Sequence, residues 1–312
     1  MRDDRRARRP SLTAGDGGIV RYGIVSPVII ANPRVVNAWE HDASIDAFAE
    51  IARAADRLGY FHLTASNHVA IPHAAAPRRG RRYWDPAVTL GYAAAITERV
   101  KLATYVLVLG YHHPLEIVKR YGTLDVVSRG RLILGVGVGS LEEEFAMLGR
   151  DFAGRGPKAR EAIRAIRASF GKREPAFHGE FYDFADVTID PVCVQADVPI
   201  WMGGRTARSL RRAIELDCDA WVPFALEPEE VREILARAKD SDAYARRTRP
   251  LDVGLSPEPP LDPIGEPQRV HDAIAHHAAC GATMLNLRFR SSSLAHHVEQ
   301  MAAFVELAGR SD

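Results

Sequence analysis

From about residue 21 onward, short runs of branched and aromatic residues alternate with amphipathic helical stretches. Few architectures accept that rhythm. The pattern predicts strands over 21–26, 61–65, 101–109, 131–138, 200–202, 220–223, 251–255 and 284–289. Between them it predicts helices over 44–58, 114–127, 157–170, 206–216, 228–243, 267–279 and 294–307, plus one that Asp85 caps and Pro86 opens. In 44–58, Ile45, Phe48, Ile51, Ala52, Ala55 and Leu58 share a face. The strands read as nearly unbroken apolar runs, which suits parallel strands covered on both sides. About eight strand–helix units with no linker between them make one (β/α)8 TIM barrel over 19–312 the economical fold. The rhythm breaks once, where FHGEFYDF and DVTID suggest a small β insertion at about 176–198, before the fifth strand.

Composition narrows the function classes. At 312 residues the chain buries a large core, and its +1 formal charge lacks the basic excess of a nucleic-acid binder. Cys193, Cys218 and Cys280 are too scattered for a zinc site or a disulfide scaffold, so a reducing cytoplasm and no metal are expected. No apolar run reaches membrane-spanning length. The opening MRDDRRARRP leads into polar SLTAGDGG rather than an apolar core, so residues 1–18 are expected to be a disordered tail, not a secretory signal.

Loop lengths say which end of the barrel works. Helix-to-strand turns such as Leu58-Gly59-Tyr60 and Cys280-Gly281-Ala282 are tight, whereas strand-to-helix segments at 32–42, 66–84 and 258–266 are long. Sites in this fold are built on that second face.

The stretch RLILGVGVGSLEEEF (131–145) joins a buried strand to a helix through Gly135, Gly137 and Gly139. Absent side chains suggest a backbone that something approaches closely, with Ser140 as N-cap and Glu142, Glu143 and Glu144 complementing the helix dipole. A dinucleotide fingerprint fits poorly: Ser140 stands where a third glycine or alanine belongs, and the acidic ribose partner would fall near Arg160. Gly203-Gly204-Arg205-Thr206 is the better phosphate cradle, since bare amides, a helix start and a guanidinium coincide there; an ordinary glycine turn is the plain alternative. Asn67 and His68 follow the second strand, where a histidine either moves a proton or is held by loop carbonyls. His112 and His113 read mainly as loop-ordering residues, and the basic run at 77–84 as a solvated loop, with a polyanion-binding patch as the alternative. Trp39, Trp84, Tyr105, Tyr111 and Phe224 are candidates to wall a flat ring, or simply core. HExxH, GxSxG and CxxC motifs are absent, against zinc hydrolases, serine esterases and thiol redox enzymes.

The segments SNHVAIP, KLATYVLVLGYHHP, TLDVVSRG, RLILGVGVGSLEEEFAMLG with DFAGRG, and PVCVQADVPIWMGGRTARSLRRA come in an order that resembles the luciferase-like monooxygenase superfamily. The resemblance, strongest to the coenzyme F420 (deazaflavin)-dependent branch, spans about half the chain. It implies a barrel with an insertion before the fifth strand, and an oxidoreductase passing a hydride between coenzyme F420 and a small organic substrate. The alternatives it leaves are a monooxygenase using reduced FMN and a non-catalytic flavin-binding barrel. It further implies a non-proline cis peptide at Tyr105-Val106, following Thr104, as a bulge behind the ring. Gly137, Val138 and Gly139 would then run along the cofactor, Gly203, Gly204, Arg205 and Thr206 would take its phosphate, and Asn67 and His68 would sit by the reacting edge. A homodimer is expected by the same resemblance. Asn67 replaces the family's usual aspartate, and Ser140 stands where some deazaflavin dehydrogenases carry an acidic proton donor.

Overall fold

The computed structural model describes residues 13–14, 18–19 and 21–309. Of the N-terminal stretch expected to be a tail, Thr13–Ala14 pairs antiparallel with Gly18–Ile19, and the rest lies outside the described residues. Eight parallel strands close into a barrel: β1 (Arg21–Ile24), β2 (His62–Ala65), β3 (Lys101–Thr104), β4 (Leu132–Gly137), β5 (Ile200–Gly204), β6 (Ala220–Pro223), β7 (Asp252–Leu255) and β8 (Met284–Leu287). Each pairs with the next, and β8 returns to β1 through Met284 opposite Arg21. The covering helices are α1 (Ile45–Leu58), α2 (Pro86–Ile96), α3 (Pro114–Val127), α4 (Arg155–Ser169), α5 (Ala207–Glu215), α6 (Pro228–Lys239), α7 (Pro267–Ala279) and α8 (Leu294–Ala308). The insertion holds a short antiparallel pair, Phe177–His178 with Asp183–Phe184.

Local chemistry sets the boundaries. Ser44 accepts from the Asp46 amide to open α1, and Gly59, at φ 84°, closes it. Asp85 accepts from the amides of Ala87 and Val88 ahead of Pro86. Most of the buried apolar side chains lie between strands and helices. A smaller set fills the barrel interior, with Ala103, Ile133, Trp201, Val222 and Met284 packed together. His62 joins that filling: its Nε2 meets Asn286 Oδ1 at 2.8 Å and its ring stands edge-on to Trp201. Burial pushes this imidazole down to about 4, so it stays neutral packing material. At the lower end Arg21 pairs with Asp252 and stacks over Phe61. The barrel is therefore plugged below its C-terminal mouth.

Two expectations need correction. The third strand does not run unbroken to residue 109: β3 stops at Thr104, the Tyr105–Val106 peptide is cis, and Leu107–Val108 then pairs with the end of β4. The helix expected over 228–243 divides into α6 and a separate turn, Asp242–Ala245, which Ser241 caps.

Candidate active site

The interruption after β3 organises the mouth. Val106 turns its side chain between the neighbouring strand ends. A Cβ added at Gly137 would lie 2.7 Å from Val106 Cγ2, and one at Gly203 2.8 Å from Val106 Cγ1. Gly139, at φ 81°, leaves room in the same way for Val108 and Phe145. The glycines expected to expose backbone to a ligand thus first make room for the chain's own bulge. Thr104 is corrected more firmly. It is fully buried and donates to the Gly135 carbonyl at 2.7 Å, so its side chain ties β3 to β4 and does not face the mouth. Tyr105, Val106 and Val138 are half-buried along the rim. The Tyr105 hydroxyl accepts from Asn286 Nδ2 at 3.2 Å, and burial raises its pKa.

One strand further, Gly204, Arg205 and Thr206 lead into α5. Ser209 in the first turn donates to the Thr206 carbonyl at 2.6 Å and accepts from Trp221 Nε1, which anchors the helix start. Arg205, Thr206 and Arg208 are exposed there. A helix N-terminus with free cations beside it can take a phosphate.

Beside the bulge, where the Asn67 amide donates to the Val106 carbonyl at 3.4 Å, the rim is made of titratable side chains. His68 Nδ1 lies 2.7 Å from Glu144 Oε2, and the Tyr111 hydroxyl donates to the same oxygen at 2.7 Å. Glu144 Oε1 accepts the amides of Val69 (2.6 Å) and Ala70 (3.2 Å). Burial pushes the Glu144 carboxyl up, but the hydrogen bonds from His68, Tyr111 and Val69 outweigh it and hold the group below its ordinary value. An ionised Glu144 places the imidazole proton on Nδ1 of His68, which leaves Nε2, without a hydrogen bond among the described residues, as the working nitrogen. The His68 ring also packs edge-on against Tyr83 at 4.5 Å.

Glu144 went unseen as a partner because the run of three glutamates reads as dipole decoration. The signal was present: Leu141, Phe145 and Leu148 mark the inner face of the short helix Glu142–Met147, and Glu144 shares it. Ser140 is not the cap. Leu141 precedes the helix, and Ser140 Oγ accepts from Arg79 at 3.1 Å.

Asn67 has a different job from His68. Buried, it accepts the Val108 amide at 3.2 Å and lies 3.3 Å from His112 Nε2, so it braces the bulge. Burial holds the His112 pKa below its ordinary value. His113 accepts the Leu115 amide at the start of α3, as a loop-ordering residue should. Among the other ring candidates, Trp39 donates to Ser291 and Phe224 is exposed. In the basic run, Arg82 donates to the carbonyls of Val28, Glu40 and His41, so it ties the 66–84 loop to the β1–α1 loop.

The sequence matches the family described as luciferase-like monooxygenase over residues 22–303. The chain belongs to that family. It is 30% identical over 275 residues to the Mycobacterium tuberculosis protein Rv0953c, covering 82% of this chain and 92% of that one. It is 31% identical over 167 residues to an F420-dependent glucose-6-phosphate dehydrogenase of Amycolatopsis mediterranei (48% of this chain, 49% of the relative). Over 194 residues it is 30% identical to the oxygenase component of a flavin-dependent trigonelline monooxygenase of Acinetobacter baylyi (61% and 52%). The same barrel recurs in an F420-dependent secondary alcohol dehydrogenase solved with an F420–acetone adduct, at TM-score 0.67 and 14% identity over 93% of this chain and 99% of that one. Luciferase-like proteins of this kind are oxidoreductases or monooxygenases.

Proposed function

We propose that this protein is a coenzyme F420-dependent oxidoreductase that moves a hydride between the deazaflavin and a small organic substrate. The observation that carries the reading is the join of two structures at one mouth: Val106 seated over Gly137 and Gly203, and the His68–Glu144 pair beside it, linked through the Asn67 amide on the Val106 carbonyl. The residues fit such a cofactor. Val106, Val138 and Gly139 offer a flat, half-exposed support for a tricyclic ring, and Gly204 to Thr206 with Arg205 offer a phosphate seat. The exposed Arg208 extends that positive charge beyond the phosphate, which suits the acidic tail of F420 better than FMN, which ends at its phosphate.

When bound, the deazaflavin supplies the hydride-carrying carbon. The chain's own work is to hold ring and substrate at reacting distance and to exclude water from the plugged barrel below. His68 holds or delivers a proton at Nε2 while Glu144 fixes its orientation from Nδ1. Asn67 keeps the bulge in register and touches no reacting atom.

The test is titration of the full chain with oxidised and reduced coenzyme F420, followed by hydride exchange with ketone, enone and alcohol panels. Absence of F420 binding removes the proposal. Preferential FMN binding, with oxygen consumption when a flavin reductase is added, moves the assignment to the monooxygenase reading that the trigonelline relative favours. Tight binding without exchange leaves a cofactor-binding barrel.

A homodimer belongs to the same proposal, as does a cytoplasmic location; no helix among the described residues is long and apolar enough to cross a membrane. Helix α2 (PAVTLGYAAAI) carries no charge, yet Val88 on its outer side is 75% exposed. It flanks a groove of about 500 Å³ with Gly91, Leu124 and Val127 on its walls. A helix apolar on all sides calls for cover on its outer face too, and a two-fold contact with a second copy supplies it. Sedimentation of the wild type and of Val88→Asp tests this: we expect a dimer that the substitution splits.

A further inference from the structure

Arg131 and Arg247 show the ordinary rule for a buried guanidinium, which is to be tightly satisfied. Arg131 donates to Ser128, Thr97, Val100 and Ala94. Arg247 donates to the carbonyls of Ala213, Cys218 and Arg249. Arg288, one residue past β8 at the mouth, breaks the rule. Its side chain is only 10% exposed, yet no guanidinium nitrogen makes a hydrogen bond among the described residues. The nearest carboxylate, Glu40 Oε2, is 3.9 Å from Nη1.

Glu40 does not need that arginine as a hydrogen-bond partner. Oε2 already accepts the Val28 amide at 3.0 Å, and Oε1 accepts the amide and side-chain nitrogen of Asn37 at 2.9 and 2.8 Å. Asn37 in turn binds Phe289 and Ser291, so the β1 and β8 loops grip each other around a guanidinium they leave unbonded. Burial holds the Arg288 pKa below its ordinary value, though the group remains charged. A largely buried guanidinium whose N–H donors make no hydrogen bond is available to a ligand anion. The strand order places it: β8, which Arg288 follows, pairs with β1, and β1 pairs with β2, which leads to His68. Arg288 therefore stands on the His68 side of the mouth. It lies three strands round the barrel from the β5 phosphate seat, too far to serve the same anion.

We propose that Arg288 binds an oxyanion on the substrate, a carboxylate or a phosphate, and so fixes which part of the molecule meets His68. The substrate class is an anionic organic molecule, held by a bidentate contact. This rests on the reading of the mouth as the reaction site, and the test separates the two. Benzoate and inorganic phosphate are titrated calorimetrically into the wild-type full chain, Arg288→Gln and Arg205→Gln, with coenzyme F420 titrated in parallel. We expect R288Q to weaken benzoate at least tenfold and to remove one of two phosphate sites. R205Q removes the other phosphate site and spares benzoate. F420 affinity changes less than threefold in R288Q. Should R288Q fold poorly by circular dichroism, Arg288→Lys keeps the charge without the planar fork, and benzoate then weakens several-fold. Unchanged anion binding in R288Q, or no anion binding to the wild type, overturns the proposal. Loss of F420 binding alone would refute the cofactor assignment and leave the anion site standing.

Discussion

The two sides of the barrel mouth are made of different material. From β3 to β5 the rim is main chain, small residues and one valine, packed so closely that an added methyl group collides. From β8 through β2, with Glu144 reaching over from the β4 loop, the rim is His68, Tyr83, Arg288 and a buried carboxylate joined by hydrogen bonds. The first side tolerates no change of shape, and its charge lies at Arg205 and Arg208 of the phosphate seat past β5. The second is defined by charge and proton position. A flat cofactor needs the first and a reacting substrate needs the second, and a hydride-transfer site needs both within one mouth.

Substitutions that damage one side and spare the other sharpen this contrast. The largest effect is expected at His68: His68→Ala should lower turnover by about 10²–10⁴-fold, the range of a positioned acid–base group, with cofactor binding intact by titration. On the opposite side, Gly203→Val drives atoms into the Val106 methyls. We expect cofactor affinity to fall on the order of 100-fold and stability by about 1–3 kcal/mol, read by titration and thermal melts. Equal damage to binding from both variants would break the contrast.

Glu144→Gln comes next, with turnover expected to fall about tenfold as His68 loses its fixed tautomer. It also carries a pH signature. Because the folded Glu144 pKa lies below its ordinary value, its stabilising contribution is complete above the unfolded pKa and is lost as pH falls through the folded one. Acid unfolding curves should therefore be flatter in E144Q than in the wild type over that window. The smallest effect belongs to Asn67→Asp, which places a carboxylate beside His112. Its imidazole resonances should titrate at higher pH than in the wild type while turnover changes only a few-fold.

What was legible in the sequence follows from the same contrast. β6 and α7 begin and end where apolar periodicity and the residues Pro228 and Pro267 put their neighbours, because local pattern is enough to define such elements. The family resemblance placed the cis peptide at Tyr105-Val106, which periodicity alone could not, since 105–109 is an unbroken run of strand-forming residues. The polar side was harder to read. Glu144 and His68 are 76 residues apart, and nothing local to either announces the other. Arg288 follows an ordinary strand and gains meaning only when the loops beside it prove to be satisfied without it.

The central claim is that one mouth holds a tricyclic ring against Val106 and a proton-handling histidine at its edge. A crystal structure of the full chain with oxidised coenzyme F420 tests it most directly. The account predicts the ring on Val106 between the ends of β4 and β5, its phosphate at Gly204 to Thr206, and His68 Nε2 facing its reacting edge. A ring bound elsewhere on the molecule, or one whose phosphate lies beside Arg288, would contradict it.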